Sequence, residues 1–197
     1  MITEAPDMAA RERELNSLYI VTVVVILVVV TATFGALIFV FWWRSQNQYL
    51  WEHLQIPSLL WLTTLILLAS SVLLERARKA MRTNQPLFYR DLQLTTGLGV
   101  LFLIGQACAW LQVMHSNAGL ANDKHHFFIL LFSGIHGVHI VAGLGALGYL
   151  VYRAHEQVSG PRYQMTTRAY TNAFSIFWHY LGFVWIVLFV LLLTWRR

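Results

Sequence analysis

Five long stretches of this 197-residue chain, Leu18–Trp43, Leu54–Leu74, Leu92–Met114, His126–Tyr152 and Asn172–Trp195, contain no Asp, Glu, Lys or Arg. A bilayer core about 30 Å thick is crossed by roughly 20 apolar residues in a helix. Each stretch reaches that length, and a core helix of a water-soluble protein keeps a charged face that none of these has. The alternating segments of about ten residues that build a closed membrane barrel are absent. Helices then remain the one way to bond every backbone group within lipid. The sequence predicts an all-α integral membrane bundle of five transmembrane helices. A short head, residues 1–17, precedes a five-helix membrane domain, residues 18–197.

Composition agrees. Hydrophobic residues make up 57% of the chain and charged ones 12%, about half the roughly 25% of a soluble protein. The formal charge of +5 does not point to nucleic acid, because the basic residues lie between and beyond the apolar runs. Taking the loops alternately, ten Lys and Arg fall on one side and four on the other. The positive-inside bias then predicts a cytoplasmic N-terminus and an outer C-terminus. Trp42, Trp43, Trp51, Trp110, Trp195 and Tyr152 stand near predicted span ends, where interfacial aromatics gather. The mixed-charge head and the length of the first run argue against a cleavable signal peptide. Pro57 is expected in the first turn of the second span, and Pro86 and Pro161 in loops. Short loops leave no room for a second domain, and no internal repeat is evident. The single cysteine, Cys108, has no partner for an internal disulfide and no ligand spacing around it.

Polar residues inside membrane spans are functional candidates by default. His136 and His139, three apart, share a helix face that continues to Gly143 and Ala146. His179 adds an imidazole in the last span. One reading makes these histidines ligands of a haem or metal, His136 or His139 pairing with His179. The reading preferred here makes them neutral, interhelical hydrogen-bonders, with Gln106 and Ser133 in the same role. Small residues beside them, Gly134, Gly137 and Gly143, would let helices approach closely. The third span has a similar face in Gly97, Gly99, Gly105 and Ala109. The aromatic residues, Trp178 and Trp185 included, read as lipid-facing or packing material. His53, His115, His125, His126 and His155 show no ligand spacing. Proton or ion transport through the chain alone is disfavoured, since the nearest acids, Glu75 and Asp91, sit at span boundaries and read as solvated end residues.

Three motifs resemble subunit III of the haem–copper oxidases. Ser133-Gly-Ile-His-Gly-Val-His-Ile-Val-Ala-Gly143 is similar to that family's Gly-x-His-Gly-x-His signature. Phe177-Trp-His-Tyr-Leu-Gly-Phe-Val-Trp185 is similar to its terminal Tyr-Trp-His-Phe-Val-Asp-x-Val-Trp. Pro57, Ala69-Ser70-Ser71, Ala77, Ala80-Met81-Arg82 and Gly105-Gln106-Ala107 follow its proline-led span, double serine, basic loop and Gln-Ala. The likeness runs from about Val29 onward. It implies a non-catalytic subunit III of a bacterial inner-membrane respiratory oxidase. Such a subunit carries no haem or copper of its own, those groups residing in partner subunits. It packs beside catalytic subunit I and other respiratory subunits, holds structural phospholipids and sustains turnover. Many bacterial members have five spans. The resemblance extends to subunit-III-like partners of nitric oxide reductases; from a different class, a small haem-binding electron carrier stays as the alternative. Three family carboxylates are missing: their positions correspond to Val30, Ala109 and Gly182. Their loss weakens any carboxylate-based proton role and leaves assembly and lipid shielding as the expectation.

Overall fold

The computed structural model describes residues 4–45, 58–81, 83–116, 124–155 and 161–194. These form five helices, α1 (Glu4–Ser45), α2 (Leu59–Ala80), α3 (Gln85–Ser116), α4 (Lys124–His155) and α5 (Pro161–Thr194). All five contain a segment long and apolar enough to cross a membrane. Pro57 and Trp51 lie outside the described residues.

The helices overrun the apolar stretches that announce them. α1 has 42 residues, about 63 Å at the helical rise, so residues 4–17 continue in the same helix as the first apolar run. α2 continues past Leu74 through Glu75–Ala80, and α5 starts at Pro161, well before Asn172. Helical hydrogen bonding has no reason to stop where the side chains become polar; only the solvent around it changes. The two prolines expected in loops instead open helices, Pro161 as the first residue of α5 and Pro86 as the second of α3. Their missing N–H groups belong to the first turn, which has no intrahelical acceptor anyway. Asn84 closes the tight α2–α3 turn. Its backbone N–H donates to Ala80 O at 2.8 Å and its Oδ1 accepts from Leu87 N at 3.0 Å. That is an N-cap for α3.

α2, α3, α4 and α5 form a ring in which each packs against the next and α5 closes onto α2. α1 stands outside the ring, lying along α5 and touching α4. Glu12 and Arg168 approach at 3.9 Å, and Tyr19 packs edge-on against Tyr170 at 5.9 Å, so α1 and α5 begin at the same end. Among the described residues α1 and α2 do not touch.

The ring encloses Leu67, Leu74, Leu92, Phe102, Ile140, Leu147, Trp178, Leu181 and Trp185. A second cluster, Val30, Phe34, Phe41, Phe132, Val184 and Leu188, fastens α1 to α4 and α5. The rest of α1 turns Val21, Val24, Val25, Val28 and Val29 outward. In water that surface would aggregate; facing acyl chains it is what a spanning helix presents. The threonines among these valines bond within the helix, Thr22 to Leu18 O and Thr33 to Val29 O, each at 2.9 Å.

Candidate functional site

Several polar groups of the bundle join helix to helix, and two tryptophans are the principal donors. Trp178 is wholly enclosed, and its Nε1 donates to Ser70 Oγ on α2 at 3.1 Å. The Ser70 hydroxyl in turn donates to Leu67 O at 2.7 Å. Two turns along α5, Trp185 Nε1 donates to Thr64 Oγ1 at 3.0 Å. An indole N–H has no acceptor in lipid, so a paired hydroxyl on the neighbouring helix fixes both ring and register. Gln106 Nε2 donates to Thr63 Oγ1 at 3.0 Å, which ties α3 to α2. Tyr170 Oη donates to Ala146 O at 3.1 Å, and the Tyr180 and Thr31 hydroxyls bond across α5 and α1.

Glycines make room for these links. A Cβ added at Gly99 would lie 3.1 Å from Trp178 Cη2, and one at Gly143 would lie 3.2 Å from Trp178 Cζ3. The indole is held between α3 and α4 by their lack of side chains. At Gly105 an added Cβ would come 2.4 Å from Thr63 Cγ2, so the α2–α3 approach depends on that glycine. Gly134 makes an ordinary contact, 3.7 Å from Trp110, and Gly137 meets nothing within 4 Å. Of the three glycines beside the histidines, Gly143 alone is tightly packed within the chain.

The histidines behave differently from the interhelical donors expected of them. His136 is buried in an aromatic cage, 5.4 Å from the Trp185 ring, 6.3 Å from Phe102 and 6.2 Å from Phe34. Neither ring nitrogen has a hydrogen-bond partner among the described residues. His139 Nδ1 lies 2.8 Å from Ile135 O of its own helix, and its ring packs on Phe34. His179 is exposed, on the side of α5 away from His136, within electrostatic reach of Glu75 and Arg78 on α2. Trp185 is the residue of α5 that meets His136, and six positions of helix separate it from His179, about 120° around the axis and about 9 Å along it. The three imidazoles do not converge on a common point, and among the described residues no three His, Cys, Asp or Glu side chains gather as ligands would. Ser133 is buried. His155 stacks on Tyr89 at 5.7 Å, and His53 lies outside the described residues.

The positions of the missing carboxylates are filled by packing. Val30 and Ala109 are each 2% exposed, and buried Gly182 faces Ser71 Oγ. The two acids at span boundaries, Asp91 and Glu75, are not simply solvated ends. Asp91 is 0% exposed; Arg76 Nε donates to its Oδ2 at 3.1 Å and Arg90 reaches its Oδ1 at 3.4 Å. The mostly exposed arginines fold over a carboxylate that the helix packing has removed from solvent. Glu75 accepts both Arg78 Nε at 2.8 Å and Nη2 at 2.7 Å. The sequence reads Trp178 and Trp185 as lipid-facing or packing material and Ser70 as part of a double serine, and it does not single out Thr63 or Thr64. The available signal was an indole donor in a span beside another span with hydroxyls, since each needs the other in lipid.

A family model for cytochrome c oxidase subunit III matches residues 42–197. The chain belongs to that family. The match takes in α2 to α5 and begins near the end of α1, so Val30 lies before it. A Synechocystis protein named cytochrome c oxidase subunit 3 is 27% identical over 129 residues, 65% of this chain and 53% of the relative. A Buchnera aphidicola protein named cytochrome bo(3) ubiquinol oxidase subunit 3 is 31% identical over 135 residues, 67% of this chain and 68% of the relative. A Corynebacterium diphtheriae cytochrome c oxidase subunit 3 is 27% identical over 140 residues, 71% of this chain and 66% of the relative. The chain thus spans about half to two thirds of the length of these subunit III relatives. Their names divide between cytochrome c and ubiquinol as electron donor.

Proposed function

We propose that this chain is the non-catalytic subunit III of a haem–copper terminal oxidase of a bacterial inner membrane. In this reading it braces the haem- and copper-bearing subunit I, shields it with structural phospholipid and sustains its turnover. The N-terminus lies in the cytoplasm and the C-terminus outside. The observation that carries the reading is the use made of interhelical polar groups. Trp178, Trp185, Gln106, Tyr170 and Tyr180 each bond to another helix of this same chain. Polar contacts of that kind hold a bundle in one packing and spend their donors on rigidity. Membership of the subunit III family supports a place beside the other subunits of an oxidase.

The test is to isolate the complex from native membranes and then the chain by itself. The complex is expected to contain a large haem-bearing subunit and to reduce oxygen, and the separated chain to show no Soret absorption. A Soret band from the chain alone, abolished in His179→Ala, would instead establish a small haem carrier.

A further inference from the structure

We propose that the four-helix ring binds one buried water molecule, held between Gln106 of α3 and His136 of α4. The site belongs to the ring itself and goes beyond the subunit III reading.

Polar atoms without partners mark the place. Among the described residues five buried side-chain nitrogen or oxygen atoms have no hydrogen-bond partner, and three of them are Gln106 Oε1 and the two ring nitrogens of His136. Gln106 is 7% exposed and His136 1%. A polar atom enclosed without a bond is costly and uncommon in native proteins. Ordered water is the usual partner where several such atoms meet inside a fold.

Packing sets the two side chains in one layer. α3 and α4 run antiparallel, and two close approaches give their register. A Cβ added at Gly134 would lie 3.7 Å from Trp110, and one at Gly99 would lie 2.7 Å from Leu144. Gln106 then stands opposite residues 137–138, within about 3 Å of His136 along the axis. Both residues lie on the buried faces of their helices, Gln106 with Phe102 and Ala109, His136 with Ile140 and Leu147. Phe102, one turn from Gln106, meets the His136 ring edge-on at 6.3 Å. α2 and α5 complete the layer. Gln106 bonds to Thr63, Trp185 bonds to the adjacent Thr64, and the Trp185 ring lies 5.4 Å from His136.

Chemistry selects the occupant. Gln106 Oε1 accepts and cannot donate. Its amide is not free to turn over, because the Thr63 hydroxyl already donates to Leu60 O at 3.0 Å and so needs a donor from Gln106. A neutral imidazole offers one donor and one acceptor. Water answers both, donating to Oε1 and bonding to one ring nitrogen through its other hydrogen or a lone pair. A cation finds no carboxylate among the residues of the layer, and an uncompensated charge in an apolar ring is strongly disfavoured. Haem is excluded by Trp185, Phe102 and Phe34, which already pack around the imidazole. The bonds described above tie α2 to α3, α2 to α5 and α4 to α5. The water adds α3 to α4.

The experiment is a cryo-EM structure of the chain in its purified native complex, at a resolution that shows ordered waters. A spherical peak is expected about 2.7–3.2 Å from both Gln106 Oε1 and one His136 ring nitrogen. Both side chains resolved with nothing between them, or a direct amide–imidazole bond, would overturn the site. In Gln106→Met the peak is expected to vanish, and a peak that persisted there would count against the shared water. A second measurement reads the unfolding midpoint in detergent for Gln106→Met and His136→Phe, singly and together. Either change alone removes the water and leaves the other side chain without it, so the double variant should shift by less than the two single shifts added. Strictly additive shifts would also overturn the proposal.

Discussion

At the scale of single residues, the structure divides the glycines and histidines more finely than their spacing does. Gly105→Ala would drive a Cβ into Thr63 Cγ2, a short branched side chain with nowhere to turn, so a loss of about 1–3 kcal/mol is expected. Thr63→Ser should restore most of it, because it removes the clashing methyl and keeps the hydroxyl that accepts from Gln106. Gly137→Ala, placed in open space, is expected to leave the unfolding midpoint in detergent unchanged. The indole links have their own test. Trp178→Phe and Ser70→Ala, singly and together, should show a coupling of about 0.6–2 kcal/mol; strictly additive losses would mean the 3.1 Å bond contributes nothing. For His136, caged by three aromatic rings, replacement by Phe conserves shape and asks for no partner. It is expected to cost less than about 1.5 kcal/mol, whereas a ligand to a metal or haem could not be replaced so. The sequence made His136 and His139 visible through their shared face. Their actual neighbours come from α1, α3 and α5, and no spacing within α4 could name them.

At the scale of helices, the number and order of the spans were legible because lipid leaves so little choice. An apolar run of sufficient length without charge becomes a helix, since nothing else satisfies its backbone. The ends were not legible for the converse reason. Past the last apolar residue, water and headgroups tolerate helix and loop alike, and α2 and α5 continue through segments whose composition reads as loop. This matters at the α2–α3 corner, where the extension carries Arg76 onto Asp91. Read as a boundary residue, Asp91 should be solvated; held by the extended hairpin, it is enclosed. Arg76→Ala leaves that carboxylate buried with only the longer contacts to Arg90, and a loss of about 1–3 kcal/mol is expected. Asp91→Asn should cost less, since the arginines, more than half exposed, can turn to water. Melting curves of the two variants in the same detergent check the order.

At the scale of the whole molecule, the bundle has one basic end. The start of α1, the α2–α3 turn and the start of α5 lie together there, as the Glu12–Arg168 contact and the antiparallel α2–α3 hairpin require. Ten of the fourteen Lys and Arg belong to that end or its loops. Part of this charge is neutralised by Glu75 and Asp91, yet orientation follows the count of basic residues near span ends and not the net charge. The basic end is therefore expected to face the cytoplasm. A chain in which Cys108 is replaced by Ser and a single cysteine is introduced by Asn84→Cys in the α2–α3 turn should react with a membrane-impermeant maleimide in inside-out vesicles and not in intact spheroplasts. The reverse pattern would turn the molecule over. It would also carry Glu75, Arg78 and the arginine-capped Asp91 to the outer face.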